Sequence, residues 1–283
     1  MRWIGLFLAL IASSTHAQTS LWEVSKNGFK LYLGGTLHML SEDDYPLPPA
    51  FAKAYESSAK LVLETDLEAV RKPQLQQRML KKMTHGRGES LSTEIQTSTY
   101  EAVDTFMRAR GLSIEAFETM KPALVAITLT VMETQRMGWT APGIDQHFHG
   151  RARRDGKSLG QLETPLQHID FIATMGDGNE DEILLNTLNE MHSVQADLHM
   201  LRESWRSGDA QTLARVGLAS MQQKFPGTYR SLLVQRNENW LPQIEQMLRT
   251  DEIEVVLVGV LHLVGRDGLL QILRSRGYTL TQM

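Results

Sequence analysis

The 283-residue chain contains no cysteine, which removes disulfides, thiolate metal ligands and a cysteine nucleophile from consideration. It also lacks a surplus of positive charge: 29 Lys+Arg face 33 Asp+Glu, a net charge of −4, so nothing in the charge balance points to nucleic acid. Three widespread catalytic signatures are missing, namely His-Glu-x-x-His, Gly-x-Ser-x-Gly and a Walker A loop. The fragments Gly86-Arg87-Gly88 and Gly176-Asp177-Gly178 are too short to cradle a phosphate. No solenoid repeat or low-complexity linker divides the chain. With 42% hydrophobic residues it has material for a substantial core, so residues 18–283 read as one domain.

The apolar run Trp3 to Ala12 follows Arg2 and leads to Thr15-His16-Ala17, a small-x-small pattern. This predicts a secretory signal peptide over residues 1–17. The run is shorter than the roughly 20 apolar residues of a membrane span, which argues against an uncleaved anchor. Without a cysteine there is no lipoprotein site, and the expected location is periplasmic or secreted. Cleavage after Ala17 removes Arg2 alone and leaves 28 Lys+Arg against 33 Asp+Glu, a net charge of −5.

What is present is a pattern that occurs twice. Leu31-Tyr32-Leu33-Gly34-Gly35-Thr36-Leu37-His38 and Val255-Val256-Leu257-Val258-Gly259-Val260-Leu261-His262 each carry an apolar strand into a Gly-x-x-His turn. The glycines are expected to let the backbone turn sharply and aim each histidine outward. Asp43 and Asp267 each lie five residues past their histidine, hinting at two pseudo-symmetric half-sites. A single histidine among apolar neighbours is more often a satisfied core residue; the recurrence reverses that preference. If the two strands are neighbours in a sheet, the loops share one site.

Further strands are predicted at Lys60 to Asp66 and Lys157 to Leu162, each ending in carboxylates at Glu64 and Glu163. The C-terminal ends of strands are where open α/β sheets bind ligands. An idle, solvated carboxylate is the alternative at both places. Helices are expected at about 49–59, through much of 73–137, at 144–155, as one long helix at 180–206, and at 209–219, 229–248 and 267–276, with a last strand at 278–281. The order predicts a mixed α/β fold: a small central mixed sheet built from N-terminal, middle and C-terminal strands, with a large inserted helical block. Arg236 and Asn239, three apart on one predicted helix, could orient a carboxylate or stabilise developing charge, although a solvated helix surface is the default. Asp145 reads most simply as a helix-start residue. His147 and His149, two apart, point in different directions on a helix. His192 and His199 are too far apart to share one metal easily.

Gly35-Thr36-Leu37-His38, Tyr45-Pro46-Leu47-Pro48-Pro49, Leu61-Val62-Leu63-Glu64, Gly143-Ile144-Asp145, Leu162-Glu163-Thr164, Arg236-Asn237-x-x-Trp240 and Gly259-Val260-Leu261-His262 through Arg276-Gly277-Tyr278 together resemble the TraB/GumN family, which includes the TIKI proteins. The resemblance runs in order over about Leu21 to Leu280. It implies a fold similar to the erythromycin-esterase and ChaN-like group, with both Gly-x-x-His loops and the early glutamate at one site. TIKI-type members imply a divalent-metal-dependent protease. Two imidazoles and a carboxylate suit Zn²⁺ or Mn²⁺ with a position left open for water. On this reading His38, His262 and Glu64 are metal ligands. Glu64, Arg236 and Glu163 are catalytic, Asp145 and Asn239 bind substrate, and the substrate is a peptide or protein. Two alternatives stay open: a metal-independent hydrolase in which a histidine-glutamate pair activates water, and a non-catalytic binder of a peptide, haem or metal.

Overall fold

The computed structural model describes residues 18–283, so the expected signal peptide lies outside the described residues. The chain enters through a hairpin. Strand β1 (Leu21–Lys26) pairs antiparallel with β2 (Phe29–Thr36), and the turn is Asn27-Gly28, with φ of 54° and 89°. A two-residue turn with both residues at positive φ matches the twist of the flanking strands, and Asn-Gly tolerates it best.

Three further strands extend the sheet in parallel. β4 (Lys60–Leu63), β6 (Ser158–Gln161) and β7 (Glu254–Gly259) follow β2 in the order β6-β4-β7-β2-β1-β8, with β8 (Thr279–Gln282) antiparallel to β1. Central strands covered on both faces are apolar without alternation, and Leu61, Val62, Leu63 and Val255 to Val258 are all buried. A small second sheet pairs β3 (Met39–Leu40) with β5 (Ala141–Pro142). The fold is therefore the expected mixed α/β architecture.

Helices fill the connections. α1 (Pro49–Ser57) precedes β4. α2 (Pro73–Met83), α3 (Leu91–Glu94), α4 (Thr97–Arg108), α5 (Pro122–Arg136) and α6 (Ile144–Asp155) lie between β4 and β6. Then α7 (Pro165–Ala173), α8 (Glu180–Glu190), α9 (Val194–Ser207), α10 (Ala210–Lys224), α11 (Pro226–Tyr229), a π-helical stretch (Arg230–Val234) and α12 (Gln235–Met247) lead to β7, and α13 (Leu269–Ser275) leads to β8. The inserted block has its own apolar cluster, including Leu91, Val103, Met107, Val125, Leu129 and Leu184, separate from the cluster around the sheet.

The single helix expected at 180–206 is two helices. Ile183 and Leu184 of α8 bury into the helical block, whereas Trp205 of α9 buries against the sheet and donates from Nε1 to the Gly35 carbonyl at 2.7 Å. One straight rod cannot serve both cores, so the chain turns at Met191–Ser193. Asp209 caps α10, accepting from the Thr212 N–H at 3.0 Å. Among the described residues no helix is long and apolar enough to cross a membrane.

Candidate functional site

Because β4, β7 and β2 are adjacent and parallel, their C-terminal ends share one edge. Thr36 pairs with Gly259 and Leu63 with Leu257, so His38, His262 and Glu64 leave the sheet side by side. Gly259 marks their meeting point: a Cβ there would lie 3.2 Å from Glu64 Oε1, 3.6 Å from His262 Cδ2 and 3.7 Å from His38 Nε2. Its backbone angles, φ −49° and ψ 131°, are open to any residue. The missing side chain at Gly259 thus leaves space among the three groups and is not needed for a sharp turn, which corrects the sequence expectation. Gly35 is similar: a Cβ there would come within 2.6 Å of Val260 Cγ2. Gly259→Ala is expected to fold normally and to obstruct whatever occupies this space; unchanged ligand binding and turnover would show that the space is unused.

The two copies of the pattern are not equivalent. β2 continues through Thr36, while β7 stops at Gly259 and passes directly into a 3-10 turn, Val260–His262. His38 consequently presents a ring 72% exposed to solvent, whereas His262 is buried. Asp43 is exposed, and Asp267 accepts from the Tyr229 hydroxyl at 2.9 Å, so the pseudo-symmetry stops at the histidines.

Arg236 organises the buried half. Nε and Nη2 donate to Glu163 Oε2 and Oε1 at 3.0 and 2.7 Å, a bidentate pair, and Nη2 also donates to Glu64 Oε2 at 2.5 Å. Planar guanidinium geometry suits such multiple recognition, and a lysine could not reproduce it. The π-helical stretch ends just before Arg236, whose Nη1 donates to the Leu232 carbonyl at 3.4 Å. Trp240, one turn on, donates to Glu163 Oε2 at 3.1 Å and lies under the guanidinium, 4.6 Å from its carbon. The Gly259 N–H donates to Glu64 Oε1 at 2.6 Å. All four of Glu64, Glu163, Arg236 and His262 are buried.

Asn237 fixes the state of His262. Its amide nitrogen donates to the carbonyls of His262 and Asp267 at 3.1 and 2.9 Å, which turns Oδ1 toward His262 Nδ1 at 2.8 Å. Nδ1 must then carry the proton, leaving Nε2 to accept from Arg236 Nη1 at 3.1 Å. Both nitrogens are committed.

This arrangement bears on the expected metal. Glu64, Glu163 and His168 place ligand atoms within 4.8 Å of one another, a spacing compatible with one ion. Yet Arg236 bonds to both carboxylates and approaches His168 Nδ1 at 3.4 Å. In the set expected from sequence, His262 has no free lone pair and Glu64 is bonded through both oxygens. As arranged, these residues do not fit a resident divalent cation, because a cation already sits among them.

His38 and Asp145 form the exposed half. Asp145 Oδ2 lies 3.2 Å from His38 Nδ1, so a proton on Nδ1 leaves Nε2 facing the open side of Gly259. The start of α6 holds this loop: the Ile144 N–H donates to the Leu37 carbonyl at 3.1 Å, and a Cβ on Gly143 would come within 2.3 Å of the His38 carbonyl oxygen. Asp145 is in the first turn of α6, as expected, but it caps no amide and serves the imidazole instead. Asn239 is exposed on α12, outside both halves.

The three central groups titrate differently. The bond from Asp145 raises His38 to about 9, although water screens part of this at an exposed ring. Burial, followed by the charge of Arg236, lowers His262 to about 3 despite Glu64. Burial opposes ionisation of Glu64, but the charge of Arg236, with that of His38 and the Gly259 N–H, holds it well below the usual carboxylate range. His262 therefore binds fewer protons in the folded than in the unfolded chain between about pH 6.5 and 3, and stability falls as pH falls through that window. Glu64 adds a loss that begins only below about pH 4.5. His38 works oppositely, its contribution full below about pH 6.5 and lost as pH rises through about 9. Urea midpoints should drop from pH 7 to pH 5, with a shallower drop in His262→Gln; a flat wild-type curve would contradict this.

Two members of the site were not singled out for a role from sequence. His168 on α7 donates from Nδ1 to Glu163 Oε1, 2.7 Å away. The helix that carries it was not expected, although Thr164-Pro165 with Gln167 forms its capping box. Asn237 neighbours Arg236 in the chain and is brought to the opposite contact by the 3-10 turn of His262.

Fold and site define a mixed α/β protein whose strand ends carry paired Gly-x-x-His loops around a buried arginine-carboxylate network. The TraB/PrgY/gumN family profile matches residues 20–282, and the chain belongs to that family. It is similar to the "Uncharacterized protein YbaP" of Escherichia coli K12, with 26% identity over 248 residues, covering 86% of this chain and 87% of that protein, and to the Shigella flexneri protein of the same name at the same identity and coverage. No solved structure matches.

Proposed function

We propose that the chain is an exported hydrolase acting on peptide or protein substrates, in which His38, oriented by Asp145, is the base that activates water. The observation that carries this reading is the exposed His38 ring, with Nδ1 on Asp145 and Nε2 turned to the space beside Gly259. A carboxylate on one imidazole nitrogen selects the tautomer whose other nitrogen takes a proton from water. Glu64 is a poor base, being buried and bonded to Arg236 and Gly259. We assign Glu64, Glu163, Arg236 and His262 to positioning: they fix the loop ends and the local field. The peptide class comes from the resemblance to the TIKI proteins, and export from the pattern of residues 1–17.

Purified protein should be assayed against a peptide library and an ester panel, before and after chelation. Cleavage that survives chelation and is lost in His38→Ala supports the proposal. Cleavage abolished by chelation and restored by Zn²⁺ or Mn²⁺ would replace it with the metal-dependent reading. Retention of a ligand with no turnover under any condition would leave a binding protein.

A further inference from the structure

A cavity of about 470 Å³ opens beside α6 and the Ala141-Pro142 strand, within the size range of small-molecule sites. Its polar lining comprises Arg71, Arg154, His147, His149, Tyr45 and Gln146, with Glu42 as its one carboxylate. Four arginines cluster in this region, and their pairing differs. Arg151 bonds Glu56 at 2.8 Å and lies 3.5 Å from Asp155, and Arg153 lies 3.3 Å from Glu68. Arg71 and Arg154, the two that line the cavity, have no carboxylate within ion-pair distance among the described residues. Arg71 is presented by a turn that Asp66 closes, accepting from the Glu68 and Ala69 N–H groups at 2.9 Å each. His147 and Tyr45 stand with ring centroids 5.3 Å apart on another wall, and the Tyr45 hydroxyl is held by the Pro142 carbonyl at 2.8 Å. Burial first, and nearby arginines second, disfavour protonation of His147 and His149.

We propose that this cavity is an anion-binding site that takes an oxyanion group, a carboxylate or a phosphate, between Arg71 and Arg154. Guanidinium groups recognise such oxyanions through paired charge-assisted hydrogen bonds. The anion site stands independently of the hydrolase reading.

Binding of inorganic phosphate and of succinate should be measured by titration calorimetry at constant ionic strength, on wild type, Arg71→Ala/Arg154→Ala, Arg154→Ala, Arg153→Ala and His38→Ala. At least one anion should bind saturably, about tenfold or more weaker in the double variant and intermediate in Arg154→Ala, since each guanidinium supplies its own charge-assisted bonds. Arg153→Ala and His38→Ala should bind as wild type does, so loss of hydrolysis alone leaves the site standing. The probe that binds more tightly identifies the oxyanion. Failure of both anions to bind at millimolar concentration, or equal affinity in wild type and a double variant with an unchanged thermal midpoint, would overturn the proposal.

Discussion

Arg236→Leu is expected to cost about 3–5 kcal/mol of stability, the range for removing one partner of a buried ion pair. Glu64 and Glu163 would both remain in the interior without the guanidinium that bonds them, and His262 Nε2 would lose its donor. Water cannot readily replace these contacts at a buried position. The carboxylates then relieve their repulsion by taking up a proton, so the gap between variant and wild type should narrow as pH is lowered from 7 toward 4. Urea denaturation at both values checks this; equal midpoints at pH 7 would show that the network contributes nothing. Arg236→Lys should recover only part of the loss, because one ammonium cannot make the bidentate bond to Glu163 and also reach Glu64. The same variant tests the fit of a metal. With the guanidinium gone, Glu64, Glu163 and His168 remain within 4.8 Å of one another, and added Zn²⁺ should raise the midpoint of Arg236→Leu but not that of wild type. A comparable rise in wild type would mean that Arg236 does not exclude the ion.

His38→Ala should lower turnover by about 10²–10⁴-fold, the usual contribution of a positioned general base. The thermal midpoint should fall only modestly at neutral pH, since the ring is 72% exposed, little packing is lost and water screens part of its bond to Asp145. The Asp145 bond is the largest influence raising His38, so the rate of the wild type should climb with pH as the imidazole loses its proton toward about 9. Asp145→Asn removes the carboxylate, and the rising limb should move to lower pH while the plateau rate falls, because the ring loses its fixed orientation. A limb that stays in place would mean that another group titrates. A rate that falls with pH over this interval would instead make His38 an acid.

Much of this was legible in the chain. The apolar runs ending in Glu64, His38 and His262 identify central strands and their polar ends, since burial on both faces of a sheet demands continuous apolar residues. Asn27-Gly28 between short alternating runs is a hairpin signal, and Thr164-Pro165 with Gln167 is a helix-start signal. The break at Met191–Ser193 has no such local signature, because it depends on which core each half of the segment meets. Helical spacing from Arg236 points to Asn239. The structure turns Asn237 inward instead, where the carbonyls of His262 and Asp267 are waiting.

By itself, then, the sequence determined the family and the mixed α/β class. It also determined that His38, Glu64, Glu163 and His262 follow the ends of strands, because strand and turn preferences are local. Only the tertiary structure decided that His38 faces solvent while His262 is buried, and that the cation among the carboxylates is a guanidinium. Arg236 lies 172 and 73 positions from the two glutamates it joins. Whether a carboxylate is solvated, bound to a metal or paired depends on what packs against it from that distance, and no pattern of neighbouring residues records it.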